Sequence, residues 1–247
     1  MKKQILFISA THGDEGFSIK VLDELEKKYP GDKYGFARTV GNPKALSLNV
    51  KQIEANLNRS APGNSKSPIY EKRRAAEIMI KAKKFQYVID LHGANSSCGI
   101  VLIICKPSLP NFLLAGIFNV KRVIIWSTKE DYKSGPLTQF CETGLEIECG
   151  PKNEKRIQKE LKMVLKNFVK NYKKIAIDEI MKNLRNGEFY AIYDKENQIN
   201  KSLTDFKKVK KGKEEYYPFM CNVYPNLACY KLRKIKFEEL FLSLSKI

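Results

Sequence analysis

Three short stretches set chemistry-bearing side chains at the ends of apolar runs. ATHGDEG (10–16) follows ILFIS and carries His12 and Glu15. Their three-residue spacing puts both side chains on one side of a turn or first helical turn. An imidazole nitrogen and a carboxylate oxygen converging on one point is how a protein holds zinc. Taken alone, the HxxE also suits a solvated strand-to-helix turn, with Asp14 and Glu15 well placed at a helix N-terminus. The second of the chain's two histidines, His92, ends the apolar run of VIDLHG. In open α/β sheets ligands bind outside the carboxyl ends of strands, so both histidines fall in matching contexts. Two histidines, one carboxylate and a fourth position left for water make the composition of a catalytic zinc site. Asp90, two residues before His92, projects to the same side of its strand. It suits either a partner for the His92 ring or a buried carboxylate satisfied elsewhere.

The third stretch is GLEIECGP. Glu146 and Glu148 alternate with Leu145 and Ile147, so both carboxylates face one side. They read as solvated acids on a half-exposed strand, or as containing a general base that takes a proton from water on the metal. Glu148, nearer the strand end and followed by Gly150-Pro151, is the better base. A further segment, NPKALSLNVKQIEANLNRSAPG (42–63), contains Asn58-Arg59. The guanidinium suits bidentate pairing with a substrate carboxylate, or a place on a loop surface.

The elements that must position these residues follow from periodicity. Strands are expected at 4–10, 34–40, 85–92, 99–105, 120–127 and 144–150, and helices at 17–29, 70–84, 109–118 and 153–174. Such alternation predicts an α/β fold with a mixed central sheet flanked by helices. From about residue 175 the chain is richer in short aromatic segments and turn residues, with a Lys-rich hairpin or loop at 207–215. The expected division is therefore a catalytic α/β domain over 1–174 and a small β-rich C-terminal domain over 175–247.

The 247 residues and 43% hydrophobic content allow a full core. A net charge of +18 invites a nucleic-acid reading, but only eight of the 45 basic residues are Arg and the lysines are scattered along the chain. No nucleic-acid partner is expected; the basic field would attract anionic substrates. Six cysteines form no CxxC pair, and the short N-terminal apolar run has no small-residue cleavage site after it. No stretch approaches a membrane span. These features lead to an expected cytoplasmic protein with reduced thiols, its oligomeric state left open.

In combination, THGDEG, NPKA…NLNRSAPG, DLHGANSS and LEIECGP resemble the succinylglutamate desuccinylase/aspartoacylase family of the zinc carboxypeptidase-like (M14) superfamily, in the family's order over 11–151. The tail around 223–234 resembles the family's C-terminal β domain more weakly. The resemblance implies one zinc ion on His12, Glu15 and His92. It implies Glu148 as the catalytic glutamate and Asn58 and Arg59 as the pair that grips the substrate carboxylate. The reaction implied is hydrolysis of the amide of a small N-acyl amino acid. Lys51 stands where aspartoacylases carry an arginine that polarises the scissile carbonyl, so Lys51 or Arg59 would stabilise the oxyanion. Thr138 stands where they carry a further substrate arginine, and their substrate tyrosine aligns near Cys229-Tyr230, making Tyr230 a candidate. Recognition of an acidic side chain is thus not expected to be inherited. The alternatives are a metallocarboxypeptidase of the M14 type acting on short peptides or cell-wall fragments with a free carboxylate, a basic nucleic-acid-binding protein with an incidental HxxE, and a degenerate member that binds without turnover.

Overall fold

The computed structural model describes residues 4–126 and 134–244. Strand β1 (Ile5–Ser9) is buried at every position, as an apolar run in the middle of a parallel sheet must be. It is followed by α1 (Phe17–Lys28), a short helical turn α2 (Gly31–Tyr34), β2 (Phe36–Val40) and α3 (Pro43–Leu48). Then come α4 (Tyr70–Ala82), β3 (Tyr87–Gly93), β4 (Gly99–Ile104), α5 (Leu109–Phe118), β5 (Arg122–Ile125) and β6 (Gly144–Gly150). The chain continues through α6 (Lys155–Asn171), α7 (Ile177–Asn186), β7 (Glu188–Glu196), β8 (Val209–Lys211), β9 (Glu214–Phe219), β10 (Cys229–Ile235) and α8 (Phe237–Leu244).

The described strands form one ten-stranded sheet in the order β2-β1-β3-β6-β4-β5-β7-β10-β9-β8. Pairing is parallel from β2 to β6, antiparallel between β6 and β4, parallel through β5 to β7, and antiparallel beyond. The mixed sheet flanked by helices is the expected architecture. β7 pairs with β5 on one side and β10 on the other, so residues from both sides of position 174 share the sheet.

The two-residue period of each strand sorts its side chains between two faces. Ile5 and Phe7, Ile89 and Leu91, and Leu145 and Ile147 join α1, α5, α6 and α7 in the largest core. Each large side chain fully buried there contributes roughly 1.5–3 kcal/mol. Leu6, Ile8 and Val88 face the other way, against α4 and residues 57–61 and 137–141. Val101, Ile103 and Ile124 also face that way, packed with Phe219 and Leu232 of the C-terminal strands and with Met220 just after β9. Asp90, His92, Glu146 and Glu148 occupy this second face, between its two apolar clusters.

Several elements depart from the periodicity reading. The segment after 175 opens with a helix, α7, packed on α5 through Gly116, where Ile180 and Leu184 leave no room for a Cβ. α3 is short, started by Pro43 and capped by the Asn42 side chain, which accepts from Ala45 N at 3.0 Å. The Lys-rich segment 207–215, expected as a hairpin or loop, is a hairpin of β8 and β9 with Gly212 at φ 63°. The strand expected over 120–127 is β5, and Ser127 lies outside the described residues. Among the described residues, no helix is long and apolar enough to cross a membrane.

Candidate active site

β1 is followed by Ala10, whose left-handed φ of 51° turns the chain sharply out of the sheet. A 3-10 turn over Gly13–Glu15 follows, and His12 and Glu15 flank its start and end. The turn lies so close to α3 that a Cβ on Gly13 would sit 2.1 Å from the Ala45 carbonyl carbon. His92 reaches the same point from the end of β3. Glu15 Oε1 lies 2.8 Å from His12 Nδ1, and Glu15 Oε2 lies 3.2 Å from His92 Nδ1. The three donor atoms lie within 4.8 Å of one another.

The opposite ring nitrogens are both occupied. His92 Nε2 donates to Asp90 Oδ2 at 3.0 Å, and Asp90 also accepts from the Thr11 hydroxyl at 2.8 and 3.0 Å. His12 Nε2 donates to Asn56 Oδ1 at 3.1 Å, an oxygen that also accepts the Asn58 backbone N–H at 2.9 Å. With each Nε2 a donor, a neutral ring turns its Nδ1 lone pair toward Glu15. Two lone pairs and a carboxylate facing one another require a cation between them, which is either protons or a metal ion. Two imidazoles and a carboxylate, with both rings oriented by hydrogen-bonded oxygens, are a donor set that fits zinc. The surroundings carry the same demand. Burial alone would raise the Glu15 carboxyl, yet the His12 and His92 charges outweigh it and pull it down to about 2. Burial would lower His92, and Asp90, Glu15 and Glu146 together hold it well above its ordinary value.

The parallel register of β3 and β6 pairs Asp90 with Glu146 and His92 with Glu148. Both glutamates therefore face the histidine side. Glu146 Oε1 accepts from Asn58 Nδ2 at 2.9 Å, which engages it within the protein. Glu148 is buried, and its Oε1 has no hydrogen-bond partner. Burial first, and then the negative charge of Glu15, push its carboxyl up to about 8, against the pull of His92 and Lys152. A buried carboxylate with an unpartnered oxygen and a raised proton affinity, lining the same cavity as His12, has the properties of a general base. Lys152, almost fully buried, pairs with Asp14 at 2.8 Å and ties the end of β6 to the His12–Glu15 turn.

Residues 51–59 form the opposite wall, anchored from below by Glu71 of α4. That fully buried carboxylate accepts the backbone N–H groups of Ile53, Glu54 and Ala55 at 2.7–3.2 Å and the Asn42 amide at 3.2 Å. The loop sets Lys51 Nζ 4.9 Å above the Tyr224 ring. Arg59 donates to the Asn58 carbonyl at 2.6 Å and lies 5.8 Å over the Trp126 ring. Asn58 is buried, its side-chain Oδ1 accepting from Leu137 N at 3.3 Å and its Nδ2 donating to Glu146.

The side chains meet around two adjoining hollows that share lining residues. An outer lobe of about 180 Å³ is lined by Asp14, Glu15, Asn95 and Lys152. An inner lobe of about 50 Å³ is lined by Asn58, Arg59, Trp126 and Glu146. His12, Lys51, Glu148, Met220 and Tyr224 line both. The structure thus brings together His12, Glu15, His92, Glu148, Lys51, Asn58 and Arg59. Tyr230 does not line either lobe; it stacks edge-on against Trp126 at 4.6 Å and lies behind Tyr224 at 6.4 Å. Thr138 is fully buried and lines neither lobe. Tyr224, Asn56, Lys152 and Glu71 were not picked out by sequence reasoning. Only Asn56 carried a local signal, its place two residues before Asn58 in the same motif.

A sequence model of the succinylglutamate desuccinylase/aspartoacylase catalytic domain matches residues 1–176. A probable aspartoacylase of Prochlorococcus marinus (strain MIT 9215) is 30% identical over 164 residues, 60% of this chain and 54% of that protein. The chain spans about half the length of the curated relatives it matches. The crystal structure of murine aminoacylase 3 superposes with a TM-score of 0.74 at 17% identity, covering 94% of this chain and 95% of that one. The succinylglutamate desuccinylase from Chromobacterium violaceum superposes with a TM-score of 0.69 at 15% identity, covering 95% and 85%. These likenesses are of fold.

Proposed function

The chain belongs to the succinylglutamate desuccinylase/aspartoacylase family, and on that premise we propose that it is a zinc-dependent hydrolase cleaving the amide bond of an N-acyl amino acid. His12, Glu15 and His92 would hold the zinc ion. Bound there, zinc supplies a Lewis acid for the scissile carbonyl and lowers the pKa of water. Glu148 takes the proton of the attacking water and returns it to the leaving amine, which hydrolysis of an amide requires. Lys51, at the junction of the two lobes, carries the charge that steadies the developing oxyanion. Arg59 binds the substrate's α-carboxylate and fixes the amide against Glu148. Asn58 holds that wall to β6 through Glu146.

The observation that carries this reading is buried Glu148, one carboxylate oxygen unpartnered, lining the same cavity as His12 and Glu15. Lobes of about 180 and 50 Å³ suit a single acyl amino acid, which favours a deacylase over a carboxypeptidase. The test is amine release from N-acyl amino acids and from short peptides by zinc-loaded protein, with Glu148→Gln as control. The expected result is release from an N-acyl amino acid, absent in a variant that still binds zinc. Release only from peptides, or unaltered turnover by Glu148→Gln, would reject the assignment.

A further inference from the structure

The two lobes divide the substrate. The residues lining both, His12, Lys51, Glu148, Met220 and Tyr224, include the base and one metal-site histidine, so the scissile amide belongs at their junction. Arg59 lines only the inner lobe. An α-carboxylate on Arg59 therefore commits the amino-acid half to the inner lobe and the acyl half to the outer one.

Among the described residues, the inner lobe has little provision for a second charge. Its remaining lining includes Ile103, Cys105, Trp126 and Pro136, with Met220 and Tyr224 closing it toward the junction. Among the described residues, the cations lining the two lobes besides histidine are Lys51, Arg59 and Lys152. Lys152 is paired with Asp14 at 2.8 Å in the outer lobe, and Lys51 stands over Tyr224 at the junction. The described carboxylates lining the inner lobe are Glu146 and Glu148. An Asp or Glu side chain entering there would face both of them after Arg59 had been used by the α-carboxylate. An unpaired carboxylate removed from water and set against like charge is strongly disfavoured. The lobe's 50 Å³ holds about four water-sized groups, at roughly 10–15 Å³ each, which is room for a carboxylate and a few carbons.

We propose that the substrate is the N-acyl derivative of an amino acid with a short, uncharged, apolar side chain, seated against Ile103, Cys105, Trp126 and Pro136 with its carboxylate on Arg59. This rests on the deacylase reading above and adds the identity of the amino-acid half.

The test holds the acyl group constant and varies the side chain. N-acetyl derivatives of L-alanine, L-valine, L-leucine, L-phenylalanine, L-aspartate and L-glutamate are compared by kcat/KM with zinc-loaded protein. Binding of the corresponding free amino acids is measured by calorimetry, a readout that needs no turnover. The expected kcat/KM for the valine or leucine derivative exceeds that for the aspartate derivative by about 100-fold or more, the scale set by leaving a charged group unpaired. The free amino acids should bind in the same order. Comparable or preferred cleavage of the aspartate or glutamate derivative would overturn the side-chain assignment and leave the deacylase intact. Cleavage of none would reject the deacylase reading, and the binding order would then decide the side-chain assignment alone, with tighter aspartate or glutamate overturning it.

Discussion

Replacing Glu148 by glutamine should make the metal-free protein more stable, by an amount that grows with pH. The Glu148 carboxyl is pushed from an ordinary 4.5 up to about 8, first by burial and then by the Glu15 charge. The folded state thus keeps a proton on Glu148 that the unfolded chain releases. A group with a raised folded pKa contributes stability below its unfolded value and loses it as pH rises to the folded one. The window is therefore pH 4.5 to 8. At ~1.4 kcal/mol per pH unit, raising the pH from 5 to 7 removes about 2–3 kcal/mol from the wild type through this group. Glutamine has the same shape and no such proton, so the stability difference between variant and wild type should widen by about 2 kcal/mol over that interval. His92, whose folded pKa is also raised, loses stability as pH rises above its ordinary 6.5 in both proteins, and largely cancels from the comparison. The assay is urea unfolding of chelator-treated protein at pH 5, 6 and 7, read by circular dichroism. A difference that stays flat with pH would refute the claim that Glu148 is desolvated and unpaired. With zinc bound the difference should shrink, because a divalent cation at His12, Glu15 and His92 favours the Glu148 carboxylate.

The remaining predictions concern groups around the centre. Asp90→Asn removes the carboxylate that orients His92 and should weaken zinc binding about 10–100-fold, measured by competition with a chelating dye, with little change in far-UV dichroism. Glu71→Gln sets an amide N–H against the backbone donors of 53–55 and should cost about 2–3 kcal/mol in chemical unfolding. Arg59→Met should raise KM for N-acyl amino acids about 10–100-fold while kcat changes far less, and should leave turnover of the matching N-acyl amino amide, which has no carboxylate, nearly unaltered.

The parts of the site carried by strands were legible in the sequence because a strand's period is short and rigid. VIDLHG and GLEIEC alternate apolar and chemical side chains, which is enough to place Asp90, His92, Glu146 and Glu148 on one face of neighbouring strands. His12 and Glu15 were legible for a similar local reason, a fixed spacing at a strand end. The loop residues were not, since their positions depend on contacts distant in sequence. Asn56 reaches His12 across 44 positions, and Glu71 works through backbone amides that no residue type announces. The choice between Tyr224 and Tyr230 rests on how the chain folds after β9, where Met220 and Asn222 take left-handed φ values. α7 was hidden among aromatic segments, although Ile180 and Leu184 carry helical spacing. The tail's strands were legible as strands; their continuation of the central sheet depends on β7 finding β5, a pairing that local pattern does not specify.

The most direct measurement is a zinc titration of chelator-treated protein, followed by amine release from N-acetyl-L-valine or N-acetyl-L-leucine. The expected result is no release before zinc, a linear rise to one equivalent per chain, and no rise at any zinc level for His92→Ala. Release that persists without metal, or that is unaltered in His92→Ala, would contradict it.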